Sequence, residues 1–283
     1  MAMPEDLVLV RHGHSEANHS QKLEKAAAEQ VPDEYYDRHN WQQRLTPQGV
    51  GQAQMAGAWL VENIGKPEEA FDKRYVSPFI RARETAAHVG GLACEWLVDD
   101  RIVERNWGTY GATPFAERAE IFARTDRMRQ QSSWYAQLDG GESLSDTVLL
   151  RVRDWFDTLH REVAQHDAER VLAVTHGELM WTIRYALERM LPEEWDTTEA
   201  DKKQRINNGS IIWYSRRNPE DQTDVRGKYG WRRMVYPDNE SRSPFGGAWV
   251  PLQNSRRFSG QQLLQSVEAV PRFYEDDLVE AAG

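Results

Sequence analysis

The stretch Leu7–Asn18, "LVLVRHGHSEAN", decides the fold. Its first four residues are all apolar, too few for a helix and without polar alternation. Such a run reads as a strand buried on both faces, as in a parallel sheet covered by helices. It stops on a guanidinium and an imidazole, Arg11 and His12, and then turns on Gly13. The same pattern returns at 170–178, "RVLAVTHGE", where an apolar run ends in Thr175-His176-Gly177. It returns more briefly at 75–79, "YVSPF", ending in Ser77-Pro78.

Helical patterns lie between these strands. In "LTPQGVGQAQMAGAWLVENIG", residues 45–65, Thr46 is an N-cap and Pro47 fits the first helical position. Val50, Ala53, Gly57, Leu60 and Ile64 then place one face inward. After Tyr75-Val76, Ser77 is expected to cap a helix begun by Pro78, with Ala82, Ala86 and Val89 inward and Gly90 at its end. "CEWLVDD", residues 94–100, reads as a third strand. Ser143 is expected to cap a long helix whose buried stripe is Leu149, Val152, Phe156, Leu159 and Val163. Residues 210–216, "SIIWYSR", and 231–236, "WRRMVY", read as late strands.

Strands alternating with helices predict an α/β fold: a three-layer α/β/α sandwich with a mostly parallel central sheet. A single domain is expected over 1–283, with a polar insertion at about 19–45, a helical cap-like segment at about 112–139 and a C-terminal extension from about 216. The Arg pairs at 216–217, 232–233 and 256–257 read as solvated.

Composition narrows the function. Of 283 residues, 40% are hydrophobic and 28% charged, enough for a packed core. The net charge of -10 argues against a non-specific nucleic-acid binder. Cys94, the single cysteine, makes no internal disulfide and fits a reducing compartment. No stretch approaches the ~18 apolar residues of a membrane span, and no signal peptide is apparent. The expectation is a cytoplasmic protein with no nucleic-acid or membrane partner and no cofactor or metal; a homodimer is left open.

In open α/β sheets ligands bind beyond the carboxyl ends of the strands. That rule sets Arg11-His12-Gly13, Ser77-Pro78 and His176-Gly177 along one rim. Arginines there suit a phosphate, which the guanidinium meets in a bidentate manner. Arg81 falls in the first turn after Ser77-Pro78 and can lean over the rim. A neutral His12 can attack phosphorus and carry the phosphoryl group. His176 can stabilise the transferring oxygens. Glu104, after the third strand, can protonate the leaving oxygen and then activate water. Trp107 and Tyr110 are candidates to line the pocket.

"VRHGHSEAN", "SPFIRARETA", "RIVERNWGTYG", "GGESLSD" and "VTHGE" stand in the order and approximate spacing of the histidine phosphatase (phosphoglycerate mutase-like, "RHG") superfamily, which the chain resembles from about residue 7 to 178; "NNGSIIWY" extends the likeness to about 214. The resemblance implies His12 as nucleophile, Arg11, Asn18 and Arg81 as phosphate ligands, Glu104 as proton donor, and His176 with Gly177 completing the cradle. It implies a small phosphorylated substrate and, in its phosphatase branch, hydrolysis. Two positions depart from it: His14 stands where Glu or Gln is commoner, and Glu178 where the mutases carry Asn. The mutase substrate loop has no clear counterpart, although Arg118, Arg124, Arg127 and Arg129 are candidate substrate contacts. Three other readings stand: mutase-type phosphoryl transfer, a metal-dependent hydrolase using His12-Gly13-His14, and a phospho-ligand binder without turnover.

Overall fold

Alternate residues of the first strand serve two cores, and that is why it is apolar throughout. The computed structural model describes residues 2–26, 31, 37–253, 256–268 and 270–272. In it, Leu7 and Leu9 of β1 (Asp6–Arg11) join one cluster, and Val8 and Val10 join another. The first cluster packs against the helix Leu149–His166 and the helix Gly177–Glu188; the second packs against the helices Pro47–Asn63 and Ile80–Gly90. These are the three layers predicted. Each strand side chain, fully out of water, contributes about 1.5–3 kcal/mol.

Among the described residues the sheet has seven strands, in the order β3-β2-β4-β1-β5-β6-β7. The others are β2 (Lys73–Val76), β3 (Leu97–Val98), β4 (Arg170–Thr175), β5 (Ile211–Ser215), β6 (Trp231–Val235) and β7 (Trp249–Pro251). The first four in chain order run parallel, with crossovers through helices. From β5 onward each strand is antiparallel to its neighbour. The links β5–β6 and β6–β7 hold no α-helix, and only an antiparallel partner can be reached by so direct a return.

The helices, in chain order, are α1 (Glu16–Ala26), α2 (Pro47–Asn63), α3 (Pro67–Ala70), α4 (Ile80–Gly90), α5 (Gly108–Ala112), α6 (Phe115–Ile121), α7 (Ala123–Gln131), α8 (Leu149–His166), α9 (Gly177–Glu188), α10 (Pro192–Ala200) and α11 (Gly260–Val267). Thr46 caps α2 as expected, its hydroxyl accepting from the Gly49 N–H. Ser143 caps a five-residue π-turn, Leu144–Val148, that runs into α8.

Several expectations are corrected. Helix α4 begins at Ile80, not Pro78, and Ser77 is not its cap. The buried stripe of α8 uses Trp155 in place of Phe156 and Val163. The third strand keeps only Leu97 and Val98, both exposed at the sheet edge. Part of the expected insertion, residues 27–30 and 32–36, lies outside the described residues; α1 begins just before it, and a 3-10 turn at Asn40–Gln42 follows it. The Arg pairs are not uniformly solvated: Arg217 pairs with Glu5 at 2.6 Å, Arg256 with Glu194 at 2.6 Å, and Arg232 is buried against Glu188. Among the described residues no helix is long and apolar enough to cross a membrane.

Candidate active site

Strand register builds the site. Arg11 of β1 stands opposite Thr175 of β4, and Val76 of β2 opposite Val174. One residue further on, His12, His176 and Ser77 therefore leave three adjacent strand ends together. The His12 N–H donates to the Thr175 carbonyl at 2.9 Å, and the two imidazole centres lie 5.0 Å apart.

Main-chain and side-chain contacts fix the tautomer of His12. Its Nδ1 lies 2.7 Å from the Gly13 carbonyl, which only accepts, so Nδ1 carries the proton. Nε2 is then a lone pair, and it takes a hydrogen bond from Arg81 Nε at 3.2 Å. Burial, then Arg81 and Arg11, hold the His12 pKa well below its ordinary 6.5. His176 is lowered likewise by burial, Arg81 and His12. Its Nε2 meets the Ser77 hydroxyl at 2.7 Å, so the residue expected to cap a helix orients the second imidazole instead. His176 Nδ1 is buried without a partner.

The loop 12–18 is clamped on three sides. The Gly13 N–H donates to the Thr85 hydroxyl, which donates in turn to the Arg81 carbonyl. Asn208 Nδ2 reaches the carbonyls of His12 and Gly13 and the Asn18 Oδ1. A Cβ on Gly13 would stand 2.2 Å from the Gly49 carbonyl, and one on Gly49 2.0 Å from that of His14, so the first turn of α2 rests on the loop backbone. His14 faces this helix: its N–H donates to Gln52 Oε1, and its Nδ1 lies 2.9 Å from the Thr46 hydroxyl.

The walls carry the polar groups. Arg81 also donates to the Asn40 carbonyl at 2.7 Å. Arg11 donates to the Ile206 carbonyl at 2.6 Å and lies against Gly177, where a Cβ would come within 3.2 Å of it. Asn18 Oδ1 accepts from Ser15 N–H, Ser15 Oγ and Asn208 Nδ2, and the residue lines the cavity. Glu104 is held by the N–H groups of Arg105 and Glu178. Ligand-capable atoms of His12, Glu104 and His176 lie within 4.8 Å of one another.

All seven residues predicted for the site, Arg11, His12, Asn18, Arg81, Glu104, His176 and Gly177, are thus brought to one place. All but His176 line a cavity of about 440 Å³, and that imidazole sits fully buried beside His12. Trp107 lines the cavity as expected; Tyr110 does not, because its hydroxyl is held by Asp126 and Arg129. The arginines of 118–129 are absent from the wall, and Arg118 is 3.9 Å from Glu24 instead. The His12 and His14 pair of the alternative metal reading does not form one cluster among the described residues.

Glu178 is the residue that sequence reasoning passed over, noting it only as a departure. Its side chain is 29% exposed at the cavity wall, and its carboxyl is pushed up to about 7 by withdrawal from water and then by the neighbouring Glu104, against the opposing pull of Arg105. A carboxyl two residues after a rim histidine, on the first turn of a helix, was the available signal. Asn208 and Thr85 were not legible as loop clamps, because their partners lie 72–196 residues away in sequence.

Residues 7–218 match the model of the histidine phosphatase superfamily, branch 1. The chain is 29% identical over 193 residues to a 2,3-bisphosphoglycerate-dependent phosphoglycerate mutase of Azorhizobium caulinodans, covering 66% of this chain and 83% of that protein. It is 31% identical over 170 residues to the phosphoglycerate mutase-like protein AT74 of Arabidopsis thaliana, covering 57% and 48%. Among solved structures it is similar to a mycobacterial glucosyl-3-phosphoglycerate phosphatase, with a TM-score of 0.57 at 21% identity over 81% of this chain and 96% of that one. The α-ribazole phosphatase of Shigella flexneri gives 0.56 at 20% identity over 79% and 96%. At these identities the structural likeness is one of fold.

Proposed function

We propose, from the premise that this chain belongs to the histidine phosphatase superfamily, that it is a metal-independent phosphatase that hydrolyses a phosphomonoester through a phosphohistidine on His12. The observation that carries the reading is the state of that imidazole. Nδ1 is committed to a carbonyl, and Nε2 is an unprotonated lone pair among guanidiniums.

A phosphate entering the cavity replaces His12 as the partner of Arg81 Nε and gains Arg11 and the Asn18 amide. Nε2 attacks phosphorus in line while the ester P–O bond breaks. The departing oxygen takes a proton from the Glu104 carboxyl. His176 Nδ1, buried and unpartnered in the free protein, faces the transferring group. Glu104, now a carboxylate, takes a proton from water, whose oxygen attacks phosphorus; the N–P bond breaks, and inorganic phosphate leaves with His12 neutral again.

A rapid quench into alkaline detergent with radiolabelled substrate should leave label on His12, stable to base and lost in acid. His12→Ala should abolish both label and turnover. Arg81→Ala should lower kcat/KM by on the order of 10²-fold, as charge stabilisation is lost. Turnover without label at saturating substrate refutes the intermediate.

The donor set does not suit a divalent cation. The nearby His12, Glu104 and His176 atoms share their space with Arg81, 3.2 Å from the one free nitrogen of His12. Exhaustive chelation is therefore expected to leave activity unchanged, and a loss restored by added metal counts against the scheme.

Mutase chemistry begins with the same intermediate, and a relative of 29% identity is named for it. Conversion of 3-phosphoglycerate to 2-phosphoglycerate, primed by the bisphosphate, separates the two fates. The expectation here is release of inorganic phosphate.

A further inference from the structure

Beside the catalytic cavity lies a second one, of about 520 Å³, lined by Lys202, Lys203, Arg205 and Arg242 together with Tyr236 and Phe245. Lys202 and Arg205 belong to both walls, so the two spaces adjoin. Among the described residues no carboxylate lines the second cavity, in a chain whose net charge is -10. Cations on such a chain ordinarily find acids, as seventeen ion pairs among the described residues show. Among the described residues these four side chains have no ion-pair or hydrogen-bond partner; only their main chains bond, as when Lys203 N–H donates to Asp201. The far wall is shaped by an unusual backbone. Phe245, Gly246 and Gly247 have φ of 53°, 64° and 72°, and the Phe245 ring stays 60% exposed beside the cations. A non-glycine residue held at positive φ is costly, and such strain gathers at ligand sites.

We infer that this cavity is a subsite for a second anionic group, phosphate or carboxylate, on the far end of the phosphoester whose phosphoryl group meets His12. The inference deepens the hydrolytic reading and rests on it. Arg242 and Phe245 lie outside residues 7–218, the part of the chain that matches the family, so the subsite is built partly by this chain's own extension. Four converging cations recognise charge without demanding one molecular shape. They therefore select a class of substrate, a phosphoester that carries a second anion.

Two matched pairs test this and separate the anions. Fructose 1,6-bisphosphate against fructose 6-phosphate reads a second phosphate, and 6-phosphogluconate against sorbitol 6-phosphate reads a carboxylate. The bis-anionic member of at least one pair should be favoured in kcat/KM by on the order of 10-fold. Lys203→Glu/Arg242→Glu, two positions outside the catalytic cavity, should erase that preference and leave p-nitrophenyl phosphate hydrolysis within about twofold of wild type. Arg242→Gln, a milder change, should reduce it in the same direction. Ratios within about threefold in both pairs, or a preference that survives the double reversal, overturn the subsite. Calorimetric binding of the same four compounds to His12→Ala reads it without turnover. A preference seen there but no hydrolysis by wild type would sink the phosphatase reading and keep the subsite.

Discussion

A nucleophilic imidazole has to be bare on one nitrogen while it sits among positive charges. His12 meets this demand through one carbonyl and two guanidiniums, and the same forces set how the protein answers to pH. Because the His12 pKa is held far below 6.5 by burial, Arg81 and Arg11, the acid limb of kcat/KM should not report its protonation near 6.5. The alkaline side is expected to follow Glu178. Glu178 keeps a proton up to about 7 beside Glu104, so the last proton available for the leaving oxygen is lost near that pH. Glu178→Gln should shift the alkaline limb to lower pH. It should also change stability in a defined sense. A carboxyl whose folded pKa is raised favours the fold while protonated, and that benefit is lost as pH climbs from about 4.5 to about 7. Urea unfolding of wild type should therefore show a decline over this range, on the order of 2 kcal/mol after allowance for its exposed edge, that the Gln variant lacks. An unmoved limb would mean that the two carboxyls do not share a proton. At this scale the sequence showed the chemistry well, because Arg11, His12 and His176 each interrupt an apolar strand. It did not show the proton's place, which depends on Glu104 and Glu178 meeting across 74 residues.

At the scale of elements, the catalytic loop depends on how closely α2 approaches it. The two glycines of "PQGVGQ" look equivalent in sequence, yet their surroundings are opposite. A methyl on Gly49 would meet the His14 carbonyl at 2.0 Å, whereas one on Gly51 would meet nothing within 4 Å. Gly49→Ala should cost about 2 kcal/mol or more and lower kcat with it, by pushing the loop off its rest. Gly51→Ala should stabilise by about 0.5–1 kcal/mol, as expected for an unstrained helical glycine. Chemical denaturation and steady-state kinetics on the two proteins check the contrast; equal effects would mean the helix start is not a support. Helix periodicity was readable in α2 and α8, because each turns an apolar stripe to a sheet face. Ser77 was placed correctly but given the wrong task. Capping chemistry is local, whereas its partner His176 arrives from another strand, 99 residues on.

For the whole molecule, the antiparallel half of the sheet is fastened to the parallel half by buried charge. Glu188, at the end of α9, takes Arg184 at 2.8 Å, Arg232 of β6 at 3.0 Å and the Tyr214 hydroxyl of β5 at 2.8 Å. Burial alone would raise the Glu188 pKa, but the two arginines outweigh it and hold it below its ordinary value. Removing Arg232 leaves that carboxylate short of a partner, so Arg232→Ala should destabilise by about 3–5 kcal/mol in equilibrium unfolding. A loss under ~1 kcal/mol would make the pair no stronger than a surface one. The doubled arginines at 232–233 read as surface charge because the partner stands 44 residues upstream. The layered architecture was legible from strand and helix alternation alone. The reversal of direction at β5 was not, since an apolar strand looks the same whichever way it runs.

Central placement of β1 also has a cost in time. Its only sheet neighbours begin at residues 170 and 211, so on a ribosome this greasy segment is born more than 160 residues ahead of either. At ordinary elongation rates that is a wait of roughly ten to thirty seconds. Through that interval the nascent polypeptide carries an unclaimed β-edge that native pairing cannot yet cover.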